Sequence, residues 1–265
     1  MLKDITIGQY FPGGSVIHRL DPRIKIGLTF VLIVCLFVAN NMVGYSICAL
    51  FILTELILSG VPIKYIFKGL RPLLLILLLT IVVNMLMVEG EVIYSLGPLA
   101  VTREGLWQAG RMATRLILLV TGASLLTLTT SPIALTDGIE KLLNPFRRLG
   151  VPAHELAMMM TIALRFIPTL LDETDKIMKA QMARGADFES GNLLRRARNL
   201  VPLLVPLFIS AFRRADELAL AMESRCYRGG RNRTRMKELL MARGDYFALV
   251  LGALTLGATI ASRGW

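Results

Sequence analysis

Five apolar runs, each long enough to cross a lipid bilayer, decide what this chain can fold into. They cover residues 24–40, 43–59, 72–88, 105–130 and 245–261. The hydrocarbon core of a bilayer is about 30 Å thick, so a helix rising about 1.5 Å per residue needs about 20 apolar residues to cross it. Apolar residues make up 54% of the 265 positions, and mean hydropathy is +0.60. Soluble domains have roughly 45–50% apolar residues even with glycine counted in. The expected fold is all-α, a polytopic membrane protein with about five transmembrane helices and a charged block set between the fourth and the fifth.

Lysine and arginine near the ends of apolar runs orient them, because cytoplasmic loops carry the excess of positive charge. Lys3, Arg19, Arg23 and Lys25 precede or open the first run, and Lys64, Lys68 and Arg71 lie between the second and third. The opposite connections hold Asn40-Asn41 and a stretch with Glu89, Glu91 and Glu104 against Arg103 alone. This asymmetry predicts a cytoplasmic N-terminus and an external Trp265. No apolar core precedes residue 24, so a cleaved secretion signal is not expected.

Residues 131–244 are different in kind. They carry 19 Lys or Arg and 12 Asp or Glu, which is +7 of the net +11. That density argues against burial in lipid, so the chain divides into membrane helices over 1–130, a cytoplasmic block over 131–244 and a last membrane helix over 245–265. Within the block, Leu156, Met159, Met160, Ala163 and Ile167 recur at helical spacing, as do Ala197, Val201, Leu204, Phe208, Phe212 and Ala215. Both stripes predict long amphipathic helices, bent at Pro168 and at Pro202 with Pro206. A shorter helix opens the block, with Ser131 as N-cap and Pro132 in first position, and closes before Asn144-Pro145. The methionines of the stripes suit surfaces that fit more than one partner.

Each long amphipathic helix ends in an arginine cluster, Ala183-Arg184-Gly185 and Ser224-Arg225-Cys226. A cation is favoured at a helix C-terminus by the macrodipole, and Gly185 suits a left-handed cap. Met241-Ala242-Arg243-Gly244 repeats the first cluster, but it directly precedes the last apolar run and follows the basic stretch Arg231–Lys237. It reads as an anchor beside anionic membrane lipid. Arg111 and Arg115, at i and i+4 in the fourth run, fit a wet outer end or an interhelical contact, and Glu55 fits an interfacial carboxylate.

These residues, taken in order, resemble a known family. The run Gly8-Gln9-Tyr10-Phe11-Pro12-Gly13-Gly14-Ser15-Val16-Ile17-His18-Arg19-Leu20-Asp21-Pro22-Arg23-Ile24-Lys25, then Leu142-Leu143-Asn144-Pro145, Leu164-Arg165-Phe166-Ile167-Pro168 and Ala183-Arg184-Gly185 look like the transmembrane T component of energy-coupling factor vitamin transporters. The resemblance covers essentially the whole chain. It implies a subunit of the bacterial plasma membrane that bridges two ABC-type ATPases and one or more substrate-binding S components. It further implies that Ala183, Arg184, Gly185, Ser224, Arg225 and Cys226 dock in ATPase grooves. Leu156, Met159, Met160, Leu204 and Phe208 are then candidates for the S-component face. Ser224-Arg225-Cys226 departs from Ala-Arg-Gly at both neighbours of the arginine.

Other chemistry has little support in the sequence. There is no Gly-x-x-x-x-Gly-Lys-Ser/Thr phosphate loop, so ATP hydrolysis has to come from partners. No catalytic set and no cofactor is expected. Cys35, Cys48 and Cys226 lack disulfide or metal spacing, the basic residues lie in loops as topology signals and not on a nucleic-acid face, and His18 reads as a loop hydrogen-bonding residue. An enzyme acting on anionic lipid would need clustered carboxylates, and Asp172, Glu173 and Asp175 point around a helix. The permease of an ordinary ABC importer would couple through one short loop.

Overall fold

The computed structural model describes residues 10–96, 99–188, 192, 198–230 and 238–264. Gly8 and Gln9 of the N-terminal motif, Ala197 of the second stripe and the basic stretch 231–237 lie outside them. The chain forms two compact units: Gly8–Gly138 with Lys237–Trp265, and Ile139–Met236.

The larger unit is a helix bundle. Its elements are a single turn α1 (Val16–Arg19), then α2 (Pro22–Val38), α3 (Met42–Ser59), α4 (Ile63–Leu70), α5 (Leu74–Met87), a hairpin of β1 (Val92–Leu96) with β2 (Leu99–Thr102), and α6 (Arg103–Thr129). The helix α7 (Pro132–Leu143) leads into the second unit, which holds α8 (Ala153–Ala183) and α9 (Val201–Ser224); α10 (Arg243–Ala261) belongs to the bundle.

The helix ends follow local chemistry. Asp21 caps α2 by accepting the Arg23 amide at 2.9 Å, with Pro22 in first position, where its missing N–H costs nothing. Ser131 accepts the Ala134 amide at 3.2 Å and starts α7 one residue before Pro132. Thr102 receives Gly105 N–H and donates to the Val88 carbonyl, so one side chain ends the hairpin and starts α6.

The expected spans are all helical. The third is longer than its apolar run suggests: α4, a short 3-10 segment and α5 give a continuous 63–87 stretch. Among the described residues five helices qualify by length and composition to cross a membrane: Met42–Ser59, Ile63–Met87, Arg103–Thr129, Ala153–Ala183 and Arg243–Ala261. Ala153–Ala183 enters through its apolar first half; its second half carries Asp172, Glu173, Asp175, Lys176 and Lys179. Pro22–Val38 has 17 residues, the short end of the spanning range of about 17–25. The β1–β2 hairpin is the element that the apolar pattern did not announce.

The bundle is organised around α2. Ile24, Leu28, Leu32, Cys35 and Leu36 of α2 are buried, and they meet Tyr45, Cys48, Phe51 and Ile52 of α3 and Leu125 and Leu128 of α6 in one core. Two glycines let neighbouring helices approach: a Cβ on Gly122 of α6 would lie 2.4 Å from Leu32 Cδ2, and one on Gly252 of α10 would lie 2.4 Å from Leu28 Cδ2. In lipid, where helices gain nothing from expelling water, small residues that admit close backbone contact favour association. By contrast α5 buries none of its residues within the chain.

A polar lock closes one end of the bundle. The Asp245 carboxylate, 1% exposed, accepts the Asp21 amide at 2.8 Å and the Ala242 amide at 2.8 Å. Lys25 Nζ donates to the carbonyls of Thr129 and His18 and to Thr130 Oγ1 at 3.0–3.3 Å, and Arg23 reaches the Leu239 carbonyl at 2.7 Å. Lys25, counted above among the orienting cations, is thus a buried tie between α2 and the end of α6. His18 hydrogen-bonds as expected, with Nδ1 2.7 Å from Ser15 Oγ and Nε2 3.0 Å from the Phe11 carbonyl, but it sits in the single turn α1 and not in a loop.

Candidate functional site

The second unit is built on the pair α8 and α9. Three contacts set their relation. Gln181 Nε2 donates to the Pro202 carbonyl at 3.4 Å, Arg214 Nη2 pairs with Glu173 Oε2 at 3.0 Å, and Tyr227 Oη lies 3.0 Å from Met158 Sδ. Residue numbers rise on one helix as they fall on the other, so the two are antiparallel. The end of α8 lies beside the start of α9, and the end of α9 beside the start of α8. From the level of Met158 to Arg184 is 26 residues of helix, about 40 Å at 1.5 Å each. Arg184 and Arg225 therefore stand at opposite ends of the pair.

Both ends use one backbone solution. At the first tip, Arg184 follows the last helical residue Ala183, Gly185 N–H donates to the Met182 carbonyl at 2.9 Å, and Ala186 N–H reaches the Gln181 carbonyl at 3.0 Å. At the second, Arg225 follows Ser224, Cys226 N–H donates to the Glu223 carbonyl at 2.8 Å, and Tyr227 N–H reaches the Met222 carbonyl at 3.0 Å. These are paired Schellman bonds, which satisfy carbonyls that the helix leaves open. The motif needs a left-handed residue after the arginine. Gly185 supplies it at φ +87°; Cys226 supplies it at φ +56° and is the one non-glycine residue with positive φ among the described residues.

A side chain in that conformation costs about 1–2 kcal/mol, and the second tip is braced accordingly. His154 Nδ1 lies 3.0 Å from Glu140 Oε1, and its Nε2 lies 3.3 Å from Tyr227 Oη. The imidazole is thus held between Glu140 and Tyr227, whose hydroxyl donates to Met158 Sδ. Gly230 packs so closely on this imidazole that a Cβ there would meet its ring at 2.3 Å. At the first tip, Gln181 Nε2 donates to the Pro202 carbonyl at 3.4 Å and Asn199 Nδ2 to the Asp187 carbonyl at 2.6 Å.

Arg184 and Arg225 are both exposed, and neither guanidinium has an ion-pair or hydrogen-bond partner among the described residues. Such a fork suits a carboxylate, which it can bind in bidentate fashion. A recess of about 420 Å³ is walled by Met158, Ile162, Leu218 and Met222 on its apolar part and by Arg225, Tyr227 and Arg228 on its polar part. Arginine and tyrosine beside apolar side chains are residue types in which interface energy concentrates. Along the pair, Leu156, Met159, Met160, Leu204 and Phe208 are all exposed, Phe208 at 60%. The structure thus sets these five on open flanks, while Met158 turns inward to Tyr227.

The look-alike Ala242-Arg243-Gly244 begins α10, with the Ala242 amide held by Asp245, and Arg243 is exposed. Sequence reasoning did not single out Asp245, Tyr227, His154 or Glu140 for the roles they take. For Asp245 a local signal existed, an acidic residue three places after a helix-start residue. The brace joins residues up to 73 apart, and no short-range pattern announces it.

The chain matches the family model CbiQ, described as cobalt transport protein, over residues 13–236. It is 66% identical over 262 residues to the energy-coupling factor transporter transmembrane protein EcfT of Thermosediminibacter oceani, covering 99% of each chain. It is 59% identical over 267 residues to the protein of the same name from Clostridium kluyveri, covering 100% of this chain and 99% of the other. Its identity to that of Bacillus subtilis is 49% over 261 residues, 98% of each. With these matches, its apolar helices and its arginine-tipped pair, the chain belongs to the CbiQ/EcfT family, the transmembrane components of energy-coupling factor transporters.

Proposed function

We propose that this chain couples two ATPase subunits to a substrate-binding S component in the uptake of a vitamin or other micronutrient. The observation that carries this reading is the helix pair closed at each end by an exposed arginine that has no partner among the described residues, presented by the same C-terminal turn. Two equivalent tips about 40 Å apart fit two equivalent partners. Arg184 engages a carboxylate in one ATPase groove and Arg225 in the other, a helix-in-groove mode of docking. ATP binding draws the two ATPases together, the tips follow, and α8 and α9 carry the displacement to the S component held on Leu156, Met159, Met160, Leu204 and Phe208. The N-terminus and the 131–244 block lie in the cytoplasm, where ATP is, and the subunit itself performs no hydrolysis.

Copurification of the ATPases with tagged full-length chain tests this reading. Truncating one partner of a buried, hydrogen-bonded charge pair costs about 2–5 kcal/mol, so Arg184→Ala or Arg225→Ala should each weaken ATPase retention and transport. The double change should abolish both, because one anchored tip keeps the other groove at high local concentration. Arg243→Ala, in the look-alike at the start of α10, should retain the ATPases. Retention by the double variant together with normal transport would sink the assignment of the tips.

A further inference from the structure

At the end of the bundle where α2 turns into α3, the first half of α6 contributes Arg111 and Arg115 to a cavity of about 170 Å³, with Asn40, Tyr45, Gln108 and Met112 completing its wall. Liquid water takes about 30 Å³ per molecule, so the space fits a phosphate-sized group with solvent. The two arginines lie one helical turn apart on one face, where like charges repel. Neither has a carboxylate within 4.0 Å among the described residues. The nearby Glu104 is engaged elsewhere, accepting the Glu91 amide at 2.7 Å.

The hydrogen-bond inventory of this wall is one-sided. Arg115 Nη2 donates to Tyr45 Oη at 2.9 Å and to the Ala39 carbonyl at 3.4 Å, so the buried phenol, 4% exposed, accepts from arginine and keeps its own proton to donate. Gln108 Oε1 accepts from Arg111 at 3.4 Å, which leaves the amide NH₂ as a donor. Arg115 Nε is buried and has no hydrogen-bond partner among the described residues. The Arg115 guanidinium is also held against the Phe37 and Tyr45 rings, 5.5 and 5.9 Å from their centroids, which fixes its direction. Tyr45 Oη and Gln108 Oε1 already take arginine donors, Asn40 adds an amide that can donate as well as accept, and two positive charges converge on the space.

We propose that Arg111 and Arg115, with Gln108, Asn40 and Tyr45, bind a phosphate-type oxyanion at this end of the bundle. Phe37, 64% exposed, packs on the Arg115 guanidinium; Trp107, 53% exposed, directly precedes Gln108 on α6, and tryptophan is enriched at the level of lipid headgroups. The phosphodiester of an anionic phospholipid can enter from that side, and free inorganic phosphate has the same oxygens.

The test uses purified full-length chain in neutral detergent and three probes: phosphatidylglycerol, zwitterionic phosphatidylcholine, and inorganic phosphate against sodium chloride at matched ionic strength. Binding is read by native mass spectrometry and by the shift in melting temperature. Phosphatidylglycerol should bind at least about tenfold more tightly than phosphatidylcholine, and Arg111→Gln should erase about that factor, as loss of a charge-assisted hydrogen bond does. The melting temperature without anion should stay unchanged in this variant. Arg115→Gln removes a packed guanidinium and can cost folding, so Arg111→Lys, which keeps the charge, is the second arm and should keep part of the preference. Stabilisation by phosphatidylglycerol alone assigns the site to lipid, and stabilisation by inorganic phosphate alone assigns it to the free ion. Equal binding of the two lipids with no phosphate effect, or anion binding unchanged in Arg111→Gln, overturns the proposal.

Discussion

Met182-Ala183-Arg184-Gly185 and Met241-Ala242-Arg243-Gly244 are the same four residues, yet the first closes α8 and the second opens α10. The decision is made by the next residue and by what the helix already holds. After Gly185 comes Ala186, whose amide folds back to Gln181, and the glycine turns left-handed to permit it. After Gly244 comes Asp245, whose carboxylate takes the Ala242 amide and starts a helix there. Conversely Ala183-Arg184-Gly185 and Ser224-Arg225-Cys226 share only the arginine and fold alike. An arginine tip is thus defined by a helix end with its carbonyls turned back, and three letters of sequence are a poor proxy for it.

Asp245→Ala should have the largest effect. It strands the buried Asp21 amide, which costs about 1–3 kcal/mol, and frees the exposed Ala242 amide of its cap. A loss of about 2–4 kcal/mol is expected from the two together, read as a marked fall in melting temperature of the detergent-solubilised chain. Asp245→Asn, which keeps one acceptor, should lose less. An unchanged melting temperature in Asp245→Ala would remove the carboxylate as the element that distinguishes the two copies.

The glycines should then answer in opposite directions. Gly185→Ala forces a Cβ into the left-handed region and should cost the first tip about 1–2 kcal/mol. Gly244→Ala sits in helical backbone with Leu20 Cδ2 at an ordinary 3.7 Å, and should be neutral or favourable by about 0.5–1 kcal/mol. Amide hydrogen exchange in peptides around 178–186 and 243–250 resolves the two: faster exchange in the first, equal or slower in the second. A like response at both sites would mean that the two copies differ less than their backbones suggest.

The smallest effect belongs to the second tip. Cys226→Gly relieves a strained side chain and should slow exchange across 218–227 by an amount equivalent to about 0.5–1 kcal/mol, while Cys226→Ala should stay within about 0.5 kcal/mol of the parent. Faster exchange in Cys226→Gly would show that the thiol makes a contact that outweighs the strain.

The spans and caps were legible in the sequence because they rest on short-range rules. Apolar length must match bilayer thickness, and Asp21-Pro22 and Ser131-Pro132 carry their own start signals. The amphipathic stripes gave the two long helices and, through the residues that close them, the tips. What stayed hidden depends on distance. The Glu140–His154–Tyr227 brace needs α8 and α9 already paired, and Lys25 looked like one more loop cation until its carbonyl partners at the end of α6 came into view. The hairpin was missed because Val92–Leu96 and Leu99–Thr102 are too short for their alternation to stand out among apolar helices. At Cys226 the sequence departs from Ala-Arg-Gly while the backbone does not, and local propensity points the wrong way there.

The antiparallel course of α8 and α9 has a mechanical consequence. If two tips sat at the same end of a helix pair, squeezing them together would pivot the helices apart like the jaws of a clothes peg. With the tips at opposite ends, the same squeeze acts along the axes and becomes shear, each helix pushed past the other. Shear is resisted by whatever cross-links the pair along its length, and here that is the Glu173–Arg214 rung at mid-length, with Gln181 on Pro202 near one end and Tyr227 on Met158 near the other. Pro168 and Pro206, one inside each helix, are where hydrogen bonds are already missing from the rods. On the proposed coupling role, a thrust at the tips would be taken up either in sliding the rungs or in bending the rods at the prolines, and the exposed apolar flanks of both helices would move with it.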